Sequence, residues 1–401
     1  MQNKNRMLII LGLMAFLANG DNYAAAPLLI NISTDLNLTV STAALSVTAY
    51  MLSFGVFTLI FGPLADRYGK VKVINIAAFG TAIFSMLGAT AFNLPSLIFF
   101  RAMNGAFGAG IFPVTMALVG ESFDAQNRQK ALGKVMGLMF LGAATATIMG
   151  GVLAYVGSWR LVYLVYGIGE IILAFIMLKI LKRDQPVVNK LNIFASYKTV
   201  FKNFRFVRLV TVILFVGFSV FGTFTYTGKL VQGITGYNIF IVGLILSIFG
   251  FGTVIGGRIA PKVRAKLKNK FLIVASVLGG LSLLALALSN NVILLSVGFL
   301  GFGIAFIFLQ STLIATAQGM IPQMKGTAMS MASFNMFVGG ALGTSLNGVL
   351  MDTIGLPPIF LYASVVILAA GVISAVFVSK FEAAQKQSAG QMAAETTGKA
   401  V

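Results

Sequence analysis

The sequence predicts an all-α membrane protein with twelve transmembrane helices in two pseudo-symmetric six-helix bundles. Three observations point to it. Hydrophobic residues make up 58% of the 401 positions and charged residues only 10%, whereas soluble domains are about one quarter charged. The apolar residues fall in blocks of about twenty, the helix length that crosses a bilayer. The basic residues also alternate in side from loop to loop, as the positive-inside rule requires.

The blocks lie near 7–30, 42–64, 71–91, 95–120, 131–155, 161–180, 207–228, 238–260, 271–288, 292–317, 326–350 and 357–379. The first is too long, and too polar toward its end, for a cleaved signal peptide. With the N-terminus inside, the inner loops collect Lys4 and Arg6, Arg67/Lys70/Lys72, Arg128/Lys130/Lys134, the runs Lys179–Arg208 and Arg258–Lys270, Lys325, and Lys380/Lys386/Lys399. Only Arg160 and Lys229 fall outside, and Arg101 lies within the fourth block. Topology and attraction to anionic lipid therefore account for the net charge of +19, and nucleic acid is not an expected partner. The expected location is the plasma membrane, multi-pass, with both termini cytoplasmic.

A polar, basic interruption divides the chain. It sets a first bundle at 1–181, a cytoplasmic linker with some amphipathic helix at 182–206, and a second bundle at 207–380. The Ala/Gln/Thr-rich tail 381–401 is expected to be disordered. The halves repeat. Gly62-Pro-Leu-Ala-Asp-Arg returns as Gly257-Arg-Ile-Ala-Pro-Lys, and Gly150-Gly-Val-Leu-Ala returns as Asn347-Gly-Val-Leu-Met. A duplicated bundle with a site between the copies is the plan of many secondary transporters. Many of the 44 glycines sit within the blocks, where small residues let helices approach closely.

Chemistry is narrowed by what is absent. There is no Cys and no His, which removes disulfides, thiolate metal sites and the commonest general base. No Gly-x-Ser-x-Gly and no Gly-x4-Gly-Lys-Ser/Thr occurs, so neither an enzyme, nor a nucleotide-driven pump, nor a cofactor is expected.

Between blocks 2 and 3, Gly62-Pro-Leu-Ala-Asp66-Arg67-Tyr-Gly69-Lys70-Val-Lys72 packs a helix end, a glycine turn and alternating charges into one short loop. Spacing alone leaves it either an ordinary charged loop or a latch between helices. The stretch closely resembles the signature of the major facilitator superfamily, departing at Val71. Arg101-Ala-Met-Asn104-Gly105 and Gly157-Ser-Trp-Arg160 resemble two further motifs of that family, and the likeness covers the whole twelve-span plan. Asp21 in span 1 and Arg101 in span 4 are most similar to the drug/proton antiporter branch. The branch's Gly-Pro in span 5 is replaced here by Ala146-Thr147, so the proline kink is not expected. The resemblance implies a conformational latch at Gly62, Asp66 and Gly69. Arg67, Lys70 and Arg128 are the bases offered to Asp66, and Glu121 is a further partner for Arg67 or Lys70.

Asp21 lies in an apolar run, where a carboxylate is unfavourable by about 2.5–3.5 kcal/mol on insertion scales. It sits about 13 Å of helix from the outer end of span 1, and Arg101 about 9 Å from that of span 4. The two are thus at similar depth. Arg101, Asn104, Gly105 and Gly108 share one helical face that is too polar for lipid. A structural ion pair is one reading of Asp21 and Arg101, and proton coupling is the other. Intramembrane ionisable groups favour the second, with Glu170 in span 6 as a further carrier. Asn22, Asn104, Tyr226, Phe306 and Gln310 are expected to line a substrate cavity, together with other aromatics of spans 7 and 10.

The function expected is secondary active transport: proton-coupled export of small amphipathic organic compounds by alternating access, as a monomer. A narrower exporter of a sugar, nucleobase or organic anion is the alternative, and a channel is a more distant one. The partners are a small-molecule substrate, protons and the lipid bilayer.

Overall fold

The computed structural model describes residues 4–182, 184–185, 197–198 and 200–398, with backbone alone at 125, 129 and 384–398. Among these residues the chain is helical, with no strand. The first half holds α1 (Lys4–Asp35), α2 (Val40–Tyr68), α3 (Lys70–Gly88), α4 (Leu94–Gly108), α5 (Phe112–Ser122), α6 (Ala125–Val156) and α7 (Trp159–Ile180). The second holds α8 (Phe204–Phe224), α9 (Thr227–Thr235), α10 (Ile239–Leu267), α11 (Phe271–Ala287), α12 (Val292–Met320), α13 (Lys325–Ile354) and α14 (Pro357–Gly398).

Local chemistry sets the helix ends. Asn93, Ser158, Asn203, Asn238 and Asn291 each accept a hydrogen bond from an N–H of the first turn of the helix that follows, supplying partners for amides with none inside the helix. Two spans are broken. Span 4 turns at Ala109–Ile111 before Pro113, and span 7 turns at Thr225 and Tyr226. A proline lacks the N–H that would carry the helix through the first break.

Ten described stretches are long and apolar enough to cross a membrane. One of them, Ile239–Ala287, comprises two helices interrupted at Lys268–Lys270. Helix α13 is not among the ten. It packs against α2 and α8, and it buries Ser330, Asn335, Thr344 and Asn347, so its polarity faces protein. The tail expected to be disordered is helical as far as Gly398; its Ala, Gln, Glu and Lys are strong helix formers. Most of the 182–206 linker lies outside the described residues, and α8 begins at Phe204, a little before the expected boundary.

The face that carries the start of α1, the 66–72 loop and the start of α13 is called the basic face below. The halves meet along α2 and α13, along α6 and α10, and where α1 meets α9. Glycine permits the closest approach. Within the first half a β-carbon at Gly142 would run into the backbone of Phe16, and across the halves one at Gly243 would run into the carbonyl of Thr147. Away from the basic face the halves are pinned by Ser41 donating to Asp352 and by the Thr48 and Ser345 hydroxyls at 3.2 Å. Toward the basic face α6 and α10 part, leaving a cleft of about 1000 Å³ lined also by α1 and α12.

Candidate transport site

Five helices of the first half converge on Asp21. Arg101 Nη1 donates to Asp21 Oδ1 at 3.2 Å, and Asn104 Nδ2 donates to Oδ2 at 3.0 Å. The arginine also donates to Asn104 Oδ1 at 3.2 Å. Asn104 Nδ2 is anchored to α3 through the Thr81 carbonyl and hydroxyl, at 3.0 and 3.1 Å. Both charged side chains are almost fully buried. The guanidinium lies 4.4 Å from the ring centre of Tyr50 on α2 and 5.1 Å from that of Tyr163 on α7, as cation–π contacts. Gly105 makes this possible: without a side chain, α4 rests on the Tyr50 carbonyl. Nε and Nη2 of Arg101 have no hydrogen-bond partner among the described residues. Glu170 on α7 is fully buried, with Asp21 and Arg101 as its electrostatic neighbours, and neither of its oxygens is hydrogen-bonded among the described residues. One turn earlier, the Tyr166 ring covers Gly20.

The next residues of α1 turn the other way. Asn22 and Tyr23 line a void of about 20 Å³ between the halves, with Met51, Phe221, Phe224 and Thr225. Tyr23 stacks on Phe249, with ring centres 6.4 Å apart, and meets Phe224 edge-on at 5.6 Å. Phe306 completes this aromatic wall against Phe221 and Phe249, at 5.5 and 6.0 Å. Of the expected cavity residues, Asn22 lines the void and Phe306 lies in its wall. Asn104 instead belongs to the charged cluster. Tyr226 points away, donating to the Thr344 carbonyl at 2.7 Å, because the break in span 7 swings it onto α13. Gln310 is half-buried on α12, next to Ser311 of the wide cleft. Phe218 packs beside Tyr362, away from the void. Tyr23 and Phe249 were missed. Tyr23 adjoins Asn22 and was legible, whereas Phe249 is one of 35 phenylalanines.

At the basic face, Lys70 rather than Arg67 or Arg128 joins the acids. Its Nζ lies 3.0 Å from Glu121 and 3.7 Å from Asp66, as ion pairs. Arg67 covers the Tyr68 ring, at 5.1 Å from its centre, and Arg128 is exposed; neither has an ion pair among the described residues. The reason is geometric. Lys70 is one turn beyond Asp66 and points into the buried corner between α2, α3 and α5, while Arg67 lies on another side of α2. A partner absent from the sequence reading is Asp184, which accepts from the amides of Lys70 and Val71 at 2.7 and 2.9 Å. It caps α3 where Gly69 turns at φ +90°, a conformation natural to glycine. Gly62 faces Ser330 of α13 across the halves. In the second half Arg264 and Glu382 pair at 2.7 Å, linking α10 to α14. On the opposite face Arg160 pairs with Asp35 and donates to the Ala91 carbonyl at 2.9 Å, and Trp159 Nε1 donates to Asp35 at 3.2 Å. The Trp-Arg motif therefore ties α7 to the end of α1.

Comparison with known proteins agrees with this architecture. The multi-drug resistance efflux pump PmrA of Streptococcus pneumoniae is 29% identical over 243 residues, which is 58% of this chain and 60% of the pump. The chain thus matches about three fifths of that relative's length. The bicyclomycin resistance protein homolog of Haemophilus influenzae is 24% identical across 92% of this chain and 95% of its own. Among solved structures, the nucleoside transporter NupG superposes with a TM-score of 0.76 at 14% identity, covering 94% of this chain and all of that one. A bacterial homolog of the human lysosomal transporter Spinster, in an inward-facing and unoccupied conformation, gives 0.72 at 16% identity over 94% and 95%. The pattern of the Major Facilitator Superfamily matches residues 11–344, and the chain belongs to that family of transporters.

Proposed function

We propose that the protein exports small amphipathic organic compounds in exchange for protons, by alternating access, with the basic face toward the cytoplasm of the plasma membrane. The observation that carries the reading is the charged cluster of α1, α4 and α7. Both Asp21 oxygens accept hydrogen bonds, from Arg101 and Asn104. Glu170 is a second acid of the same half, buried with no hydrogen-bond donor among the described residues, where an unpaired charge is costly.

Coupling runs through α1. Asp21 faces the cluster, while Asn22 and Tyr23 face the void between the halves. Substrate entering that void displaces α1, and with it Asp21 relative to Arg101. The substrate does not need to compete with the proton for one carboxylate. The wall of Tyr23, Phe221, Phe224, Phe249 and Phe306 suits apolar and aromatic surface with few polar anchors. The resistance and efflux names of the relatives agree with such cargo. Closure on one face and a cleft on the other support a state open at the basic face.

The test is transport by the purified protein in sealed vesicles, under an imposed pH gradient and with a panel of amphipathic dyes. Gradient-dependent accumulation should be lost in Asp21→Asn and in Glu170→Gln, while downhill exchange of neutral dyes persists. Accumulation indifferent to the pH gradient would refute proton coupling.

A further inference from the structure

The cleft between α6 and α10 has features that transport of a neutral dye does not explain. Its wall is apolar, with Leu8, Phe140, Val254 and Ile307, but two exposed cations, Lys134 and Arg258, also line it. Neither forms an ion pair among the described residues. A second hollow of about 500 Å³ shares Asn5, Leu8 and Lys134 with it and adds Lys4 and Lys130. Asp124, the acid of that stretch, is turned to Asn127 at 3.0 and 3.3 Å.

The cleft also adjoins the lipid-facing surface. Phe251, Ile255 and Ile259 form an exposed stripe at helical spacing on α10, and Ile9 and Leu141 are exposed at the mouth. The wall on α6 has a gap at two glycines. A β-carbon at Gly133 or Gly137 would meet nothing within 4 Å. Elsewhere on this helix Gly142 is needed for backbone contact, but these two glycines leave room that no side chain fills.

We propose that this cleft seats one anionic phospholipid from the leaflet on the basic face, with its phosphate between Lys134 and Arg258 and an acyl chain in the slot left by Gly133 and Gly137 on α6. Basic pockets between transmembrane helices on the cytoplasmic side suit anionic headgroups. The volume of about 1000 Å³ is at the upper end for small-molecule sites. Occupancy and closure of the cleft exclude each other, so the lipid stabilises the state open at the basic face. The site stands independently of which compound is exported.

The purified full chain, titrated with phosphatidylglycerol and separately with phosphatidylcholine, tests this by native mass spectrometry. One phosphatidylglycerol should bind in preference. Lys134→Ala and Arg258→Ala should each weaken it about fivefold, the factor that about 1 kcal/mol per basic residue represents. Lys229→Ala, outside the cleft, should leave binding unchanged. Gly137→Leu keeps both cations but fills the slot, and should also lose the lipid. Soluble glycerol phosphate at equal concentration should not compete. Equal binding of the two lipids, or wild-type binding by the double cation variant or by Gly137→Leu, would overturn the proposal. Competition by glycerol phosphate would make the site one for a free anion and overturn it equally.

Discussion

At the scale of single residues, the pairing of Asp21 with Arg101 follows from depth along two helices and from a shared polar face, both legible in the sequence. Its surroundings were not. Tyr50 and Thr81 come from helices whose sequences carry no charge at that depth, and Tyr163 lies two turns before Glu170 on α7, so nothing marks which aromatic or hydroxyl turns inward. The cluster predicts a clear energetic pattern. Arg101→Ala leaves a buried carboxylate unpaired, which costs about 3–5 kcal/mol, and the unfolding temperature in detergent should fall sharply. Arg101→Lys should fall less, since it keeps the charge but loses the planar contact with the two rings. Adding Asp21→Asn to Arg101→Ala should recover much of the loss. A strictly additive double variant would mean that the two do not interact.

At the scale of elements, the glycines separate into two kinds. Gly243 meets a partner backbone, and Gly133 and Gly137 meet open space. Gly243→Leu should therefore fail to fold or be strongly destabilised. Gly137→Leu should fold normally, yet slow transport, because α6 then cannot close on α10. Normal transport by Gly137→Leu would show that this part of the cleft does not close. The basic loop teaches a different lesson. Its resemblance to the family signature located the latch, but the partner of Asp66 depended on which way each base projects from the helix end. Asp184 was out of reach because a helix cap supplied from 114 residues away leaves no local spacing. Replacing it by Ala should cost about 1 kcal/mol, read as a small loss of thermal stability.

At the scale of the whole molecule, the apolar blocks and the charge alternation made the helical membrane fold legible before any coordinates. The exceptions have physical causes. Helix α13 is polar because it packs between other helices, and the tail is helical as far as Gly398 because its composition favours helix. The absence of cysteine makes the closed face easy to probe. Ser41→Cys with Asp352→Cys should be bridged readily by a short thiol cross-linker, and transport should stop until the bridge is cut. Unimpaired transport by the bridged protein would mean that the halves do not separate there.

The central claim is that the buried cluster couples proton movement to export. Gradient-driven accumulation in vesicles, with equal incorporation of wild type and Asp21→Asn, tests it most directly. The variant keeps the shape of the side chain and its bond to Asn104 but cannot exchange a proton. It should exchange neutral substrate downhill and build no gradient. If Asp21→Asn accumulates substrate against its gradient at the wild-type rate, Asp21 is a structural partner of Arg101 and the coupling account is wrong.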